Sequence, residues 1–192
     1  WRSARPDSAQ HFGITLHAGR DAWFKTGDAG AALDALRASW GDYTVPPKDR
    51  RTLALAEAML TCYMESYGTL ATQGMALIAG EEVLFSPGRS YGGVIDARIL
   101  LLGPGEEYVN DLKTTGMPVS GAFLEQYQNS DQLAGYLDLV ENNGGHPVAA
   151  WVDAWHVPRS GKPKPEHFSL YGPIYYGPSR RADMRLVRGM KI

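Results

Sequence analysis

The sequence predicts an α/β or α+β fold, on three observations. Apolar residues recur at helical spacing through the first third of the chain. Apolar strand-like runs bounded by Gly, Pro and Asn follow from Met75 onward. One further helical stretch then separates these strands from the last two. At 192 residues the chain is long enough for one domain, residues 1–192, with a sizeable core.

Residues 9–25 read as the first helix, with Phe12, Leu16 and Phe24 near helical spacing beside Gly13 and His17, and with Lys25 and Gly27 at its end. Asp28 reads as the N-cap of a second helix through Leu33, Leu36 and Trp40, stopped by Gly41-Asp42. Pro46-Pro47 is expected to open a third helix. Its apolar face is Leu53, Ala56, Leu60, Tyr63 and Tyr67, its Glu57 and Glu65 face solvent, and Gly68 ends it. Residues 75–85 read as one strand with Gly80 inside it. Residues 92–102 and 108–113 form a hairpin around Gly103-Pro104-Gly105-Glu106. A loop over 114–121, a short helical turn over 122–128 and a helix capped by Asn129 or Ser130 come next. That helix runs to Asn142, with Leu133, Leu137 and Val140 toward the sheet. Residues 147–157 and 167–176, on either side of a polar loop, extend the sheet. Their Trp151, Trp155, Tyr171, Tyr175 and Tyr176 read as core or cross-strand packing, against the alternative of stacking surfaces for unpaired bases.

The hairpin carries the candidate chemistry. Closing its turn with Leu102 opposite Glu107 puts Asp96 opposite Lys113 and Asp111 opposite Arg98, all on one side of the ladder. Directly opposed residues lie roughly 5 Å apart and diagonal ones about 7 Å. Asp96 and Asp111 could then share a divalent cation with Lys113 beside it, which suits phosphate-ester hydrolysis. The same residues also make an ordinary half-exposed hairpin, each opposite-charge pair stabilising it by about 0.2–1 kcal/mol. Glu82 alternates away from Val83 and Phe85 and is a candidate third carboxylate, with the adjacent Glu81 as its competitor. Gln132 and Tyr136, four apart, share one helix face.

Four stretches occur in order over residues 13–136: Gly13-Ile14-Thr15-Leu16-His17, then Gly93-Val94-Ile95-Asp96, then Asp111-Leu112-Lys113-Thr114-Thr115-Gly116, then Gln132-Leu133-Ala134-Gly135-Tyr136. Together they resemble the motifs of the PD-(D/E)xK nuclease superfamily, in its RecB-like and phage-exonuclease branch. The resemblance implies a restriction-endonuclease-like core, a central mixed β-sheet flanked by helices, and a metal-dependent deoxyribonuclease, most simply an exonuclease. By that resemblance Asp96, Asp111 and the Leu112 backbone carbonyl bind Mg²⁺ or Mn²⁺, and His17 completes the shell. Lys113 acts on the attacking water and the scissile phosphate, and Glu82 would admit a second ion. Gln132, Tyr136 and Thr114 would contact the substrate strand, and Arg180 and Arg181 in the basic tail 178–192 would contact phosphates. DNA is the implied partner, with recombination or replication proteins beside it in a phage or bacterial setting. The alternatives from other classes are a nucleic-acid-binding module without turnover and an assembly subunit with the same fold.

The lone Cys62 excludes an intrachain disulfide framework, a four-cysteine metal site and the iron–sulfur cluster that some relatives in that branch carry. It reads as a buried thiol and fits a cytoplasmic location. No apolar run approaches the roughly 20 residues that span a bilayer, and Trp1 opens no recognisable signal peptide, so a soluble protein with no membrane partner is expected. Beginning at Trp1 rather than Met, the chain reads as starting inside a longer product. Net charge is −2, unevenly spread: residues 158–192 carry eight Lys/Arg against Glu166 and Asp183. That basic end suits phosphate contact or plain solvation.

Overall fold

The computed structural model describes residues 7–86 and 91–177. Three helices come first. α1 (Ser8–Thr26) starts where the Asp7 side chain accepts from the Gln10 N–H. It ends at Gly27, whose φ of 64° turns the backbone left-handed and returns its N–H to Trp23. Phe12, Leu16, Gly19, Arg20 and Trp23 form its buried stripe, mostly three or four residues apart. α2 (Ala29–Trp40) is capped by Asp28, as its sequence suggests. α3 (Leu53–Tyr67) begins later than Pro46-Pro47 implies. Lys48 takes a φ of 69° and Asp49 accepts from the Arg51 N–H, so the chain turns first; Thr52 then caps the helix by accepting from the Leu55 N–H.

Seven strands follow among the described residues: β1 (Met75–Ala79), β2 (Glu82–Phe85), β3 (Gly92–Ile95), β4 (Ala97–Leu101), β5 (Glu106–Thr115), β6 (Pro147–His156) and β7 (Phe168–Ile174). Five make a mixed sheet in the order β1-β4-β5-β6-β7, with β5 and β6 parallel and the other neighbours antiparallel. β2 and β3 pair separately as a two-stranded ribbon. The single strand expected over 75–85 is therefore two. The Asp21 carboxylate accepts from the Glu81 N–H at 3.0 Å and crowds Gly80, which turns the chain out of the sheet. The opposite strand breaks at Asp96, between β3 and β4.

The β4–β5 register also differs from the expected one. Leu101, not Leu102, closes the turn, opposite Glu106, and the Gly105 N–H returns to the Leu101 carbonyl at 2.9 Å with φ at 72°. Each strand thereby keeps its faces, because side chains alternate with period two, but the partners change. Arg98 opposes Val109 and is bound by Glu107 at 2.6 Å and Glu82 at 3.2 Å rather than by Asp111.

Helices cover both faces of the sheet. On one, Phe12, Leu16, Met59, Leu60 and Tyr63 pack against Leu112, Trp155 and Phe168. On the other, α5 (Asp131–Asn142), preceded by the short α4 (Gly121–Glu125), presses Leu133, Leu137 and Val140 against Val109, Val152 and Ala154. Trp151, Trp155 and Tyr176 are buried, whereas Tyr175 is exposed. Cys62 is half-buried rather than fully enclosed. No helix among the described residues is long and apolar enough to cross a membrane.

Candidate functional site

The site forms where the β4–β5 ladder ends. Ala97 opposite Asn110 is its last pair, so the β5 edge from Asp111 onward loses its strand partner on that side. Asp96, at the bend, substitutes for one: its Oδ2 accepts from the Leu112 N–H at 2.7 Å. An extended residue directs its N–H and C=O to the same side, so the Leu112 carbonyl faces the same opening. From α1, His17 Nδ1 lies 3.3 Å from Asp96 Oδ1, and Arg20 Nη2 lies 3.9 Å from Oδ2.

Asp111 and Lys113 project to the α5 side. Lys113 Nζ stands 2.8 Å from Asp111 Oδ2 and 3.1 Å from Oδ1, and it donates to Gln132 Oε1 at 3.1 Å. Gln132 in turn donates to the Tyr136 hydroxyl at 2.7 Å. The glycines of the motifs let these elements approach. A Cβ on Gly93 would sit 3.0 Å from the Tyr136 ring, and one on Gly13 would sit 3.2 Å from the Thr114 hydroxyl. Thr114 thus lies under α1, on the opposite face of β5 from Lys113.

Electrostatics separates the two carboxyls. Burial pushes Asp111 above its ordinary value, Lys113 pulls it down, Asp96 pushes it up again, and the net shift is upward. Burial also pushes Asp96 up, but the hydrogen bond and charge of His17, the charge of Arg20 and the Leu112 N–H outweigh it, and the net shift is downward. Asp111, 1% exposed, is therefore a carboxyl whose negative charge its surroundings do not fully offset.

Among the described residues no three His, Cys, Asp or Glu side chains stand gathered as a cation cage. As arranged, Lys113 occupies Asp111, and His17 and Arg20 occupy Asp96. The donor chemistry nonetheless fits a hard divalent cation: two carboxylates, one of them buried and under-neutralised, a carbonyl on the same edge, and an imidazole. The Lys113 side chain, 26% exposed, has room to leave Asp111.

Of the residues singled out from sequence, His17, Asp96, Asp111, Leu112, Lys113, Gln132 and Tyr136 are brought together. Glu82 is not part of that group: its carboxylate is engaged by Arg98. Arg180, Arg181 and the tail 178–192 lie outside the described residues.

Arg20 lies outside the four motif stretches. It is 2% exposed, donates to Asn110 Oδ1 at 2.6 Å and to Asp153 Oδ2 at 3.2 Å, and rests over the Phe24 ring. Tyr63 and Trp155 donate to the same Asp153 carboxylate at 3.0 and 2.8 Å. This buried network stands directly behind Asp96. Its signals in sequence were Arg20 three residues after His17, on one helical face, and Asp153 alone among the apolar residues of Ala-Ala-Trp-Val-Asp-Ala-Trp.

Comparison with known proteins gives no match, either to a family model or to a curated protein, so the resemblance rests on these residues alone.

Proposed function

We propose that the chain is a metal-dependent deoxyribonuclease with a restriction-endonuclease-like core, acting as an exonuclease on DNA. The observation that carries the reading is the meeting of Asp96 and Asp111 with Lys113 at the open edge of β5, with His17 opposite. A purely structural hairpin needs no second carboxylate buried beside the first, and a surface that only binds nucleic acid gains nothing from carboxylates that repel phosphate.

In this reading Asp96, Asp111, the Leu112 carbonyl and His17 are the ligands. Bound Mg²⁺ or Mn²⁺ would polarise the phosphoryl oxygen and lower the pKa of a bound water. Lys113, released from Asp111, orients the attacking water and stabilises charge developing on the phosphate. Gln132 steers the lysine by accepting from its ammonium, and Tyr136 fixes the Gln132 amide. α5 brings both side chains to the cleft, where the substrate strand passes.

The test is cleavage of end-labelled single- and double-stranded DNA with Mg²⁺, Mn²⁺ or EDTA, using Asp111→Asn as the control. Metal-dependent release of short products by the native chain alone is expected. No cleavage of any substrate with either metal would reject the nuclease and favour the binding module.

A further inference from the structure

Beyond Lys113, at the carboxyl ends of β5 and β6, the last parallel pair is Thr115 with His156. Basic side chains from separate segments converge there. Arg50, in the turn before α3, donates from Nη2 to the Val157 carbonyl at 3.4 Å and lies against Gly116, where a Cβ would stand 3.4 Å from the same nitrogen. The His156 and His167 rings meet edge to face, with centroids 5.3 Å apart. Burial first, and then the positive charges of His167, Arg50 and Arg159, hold the His156 imidazole below its ordinary value. The carboxylates nearest in sequence are engaged elsewhere: Asp49 by Arg51 at 3.2 Å, Asp153 by Arg20 at 3.2 Å, and Glu166 by Lys164 at 3.6 Å.

Two atoms in this cluster are left over. Arg50 Nε and His156 Nε2 are both closed off from solvent, and neither makes a hydrogen bond. A buried polar group without a partner is destabilising, and gathering cations around it adds repulsion. An anion with several acceptor oxygens, bound against the uncovered parts of these side chains, would offset that repulsion. Arg50, His156 and His167 are each only partly covered and Arg159 is exposed, so the cluster is open to such a ligand.

We infer that Arg50, His156, His167 and Arg159 form a phosphate-binding subsite, which holds the phosphate of the nucleic-acid strand next to the one at Lys113. Thr115 lies two residues beyond Lys113 on an extended strand, about 7 Å at roughly 3.3 Å per residue, which is of the order of one nucleotide step. Arg50 presents a planar fork suited to phosphate oxygens. The identity of the strand rests on the nuclease reading; the anion chemistry does not.

Two measurements on the full chain test the subsite. Inorganic phosphate, titrated at constant ionic strength, should shift the His156 and His167 ring resonances saturably. Arg50→Gln should abolish that shift, and Arg50→Lys should retain it in weakened form. Binding of a fluorescein-labelled single strand in Ca²⁺, followed against salt, should then show a slope shallower by about 0.7 for each phosphate no longer neutralised, in Arg50→Gln and in Arg159→Gln. Arg159 is exposed, so its variant remains informative if Arg50→Gln fails to fold. No saturable shift of His156 with phosphate overturns the subsite, even if the protein cleaves DNA. A shift with unchanged slopes in folded variants overturns the assignment to a strand phosphate and leaves a site for the free ion. Failure of the nuclease reading shows separately, as absence of metal-dependent cleavage by the native chain.

Discussion

The Lys113 ammonium is shared between Asp111 at 2.8 Å and Gln132 at 3.1 Å, so one cation links β5 to α5. The link gives the two residues separable roles. Lys113→Ala should lower turnover by about 10²–10⁴-fold, the usual contribution of a positioned proton-transfer group, while Mn²⁺ binding by calorimetry persists. Loss of metal binding together with activity would show that the lysine supports the ligands rather than the water.

Gln132→Ala should leave the lysine charge in place but unsteered. Turnover is expected to fall by up to about 10²-fold, the effect of a misplacement near 1 Å, with little change in the salt dependence of DNA binding because no charge is removed. A large change in salt slope would instead mean that Gln132 organises the protein's grip on phosphates.

The carboxyls should respond to pH with opposite signs in metal-free protein. Asp111 is raised in the fold, so its stability contribution is fully present below the ordinary value of 3.8 and is lost as pH rises through its folded value. Asp96 is lowered, so its contribution is present above 3.8 and is lost as pH falls through its folded value. Thermal melts in EDTA should therefore find Asp111→Asn gaining on the native chain as pH rises from about 4 to about 7. Asp96→Asn should lose ground at lower pH instead, as pH rises from about 2 to about 4, and change little above that. Parallel melting curves for all three proteins would contradict this account of the site.

The sequence made the elements legible where local signals act alone. Caps at Asp28 and Ser130, stops at Gly27 and Gly68, and the apolar stripes of α1 and α5 all appear where expected. Local signals mislead where tertiary contacts decide. The expected strand over 75–85 divides because Asp21 of a distant helix captures the Glu81 N–H. The hairpin register slides because Gly105 can return its N–H to Leu101, a choice that the Gly-Pro-Gly-Glu wording leaves open. The slide left the candidate site intact: a two-residue shift preserves faces, so Asp111 and Lys113 remain on one side of β5. The partners of Arg98 and of Arg20 lie far apart in sequence: spacing puts Arg20 on the His17 face of its helix but does not say which residues it meets.

Arg20 and Asp153 should prove mutually dependent. They are 2% and 3% exposed, and burial pushes Asp153 upward against the pull of Arg20, Trp155 and Tyr63. Removing one partner leaves the other charge or its hydrogen-bond donors stranded without water, which in buried pairs costs about 3–5 kcal/mol. Arg20→Met should therefore destabilise the protein by about that amount in urea titrations. Asp153→Leu should do similar damage, because it also orphans the Tyr63 hydroxyl and the Trp155 N–H. The double variant Arg20→Met with Asp153→Leu should cost less than the sum of the two, since the buried charges leave together. Additive costs would mean that Arg20 and Asp153 are held by their other partners and not by each other. A second readout separates support from stability: Asp96, 3.9 Å from Arg20, would lose one of the charges that hold its carboxyl ionised. The acidic limb of any metal-dependent activity should then move to higher pH in Arg20→Met, an effect that loss of packing alone would not produce.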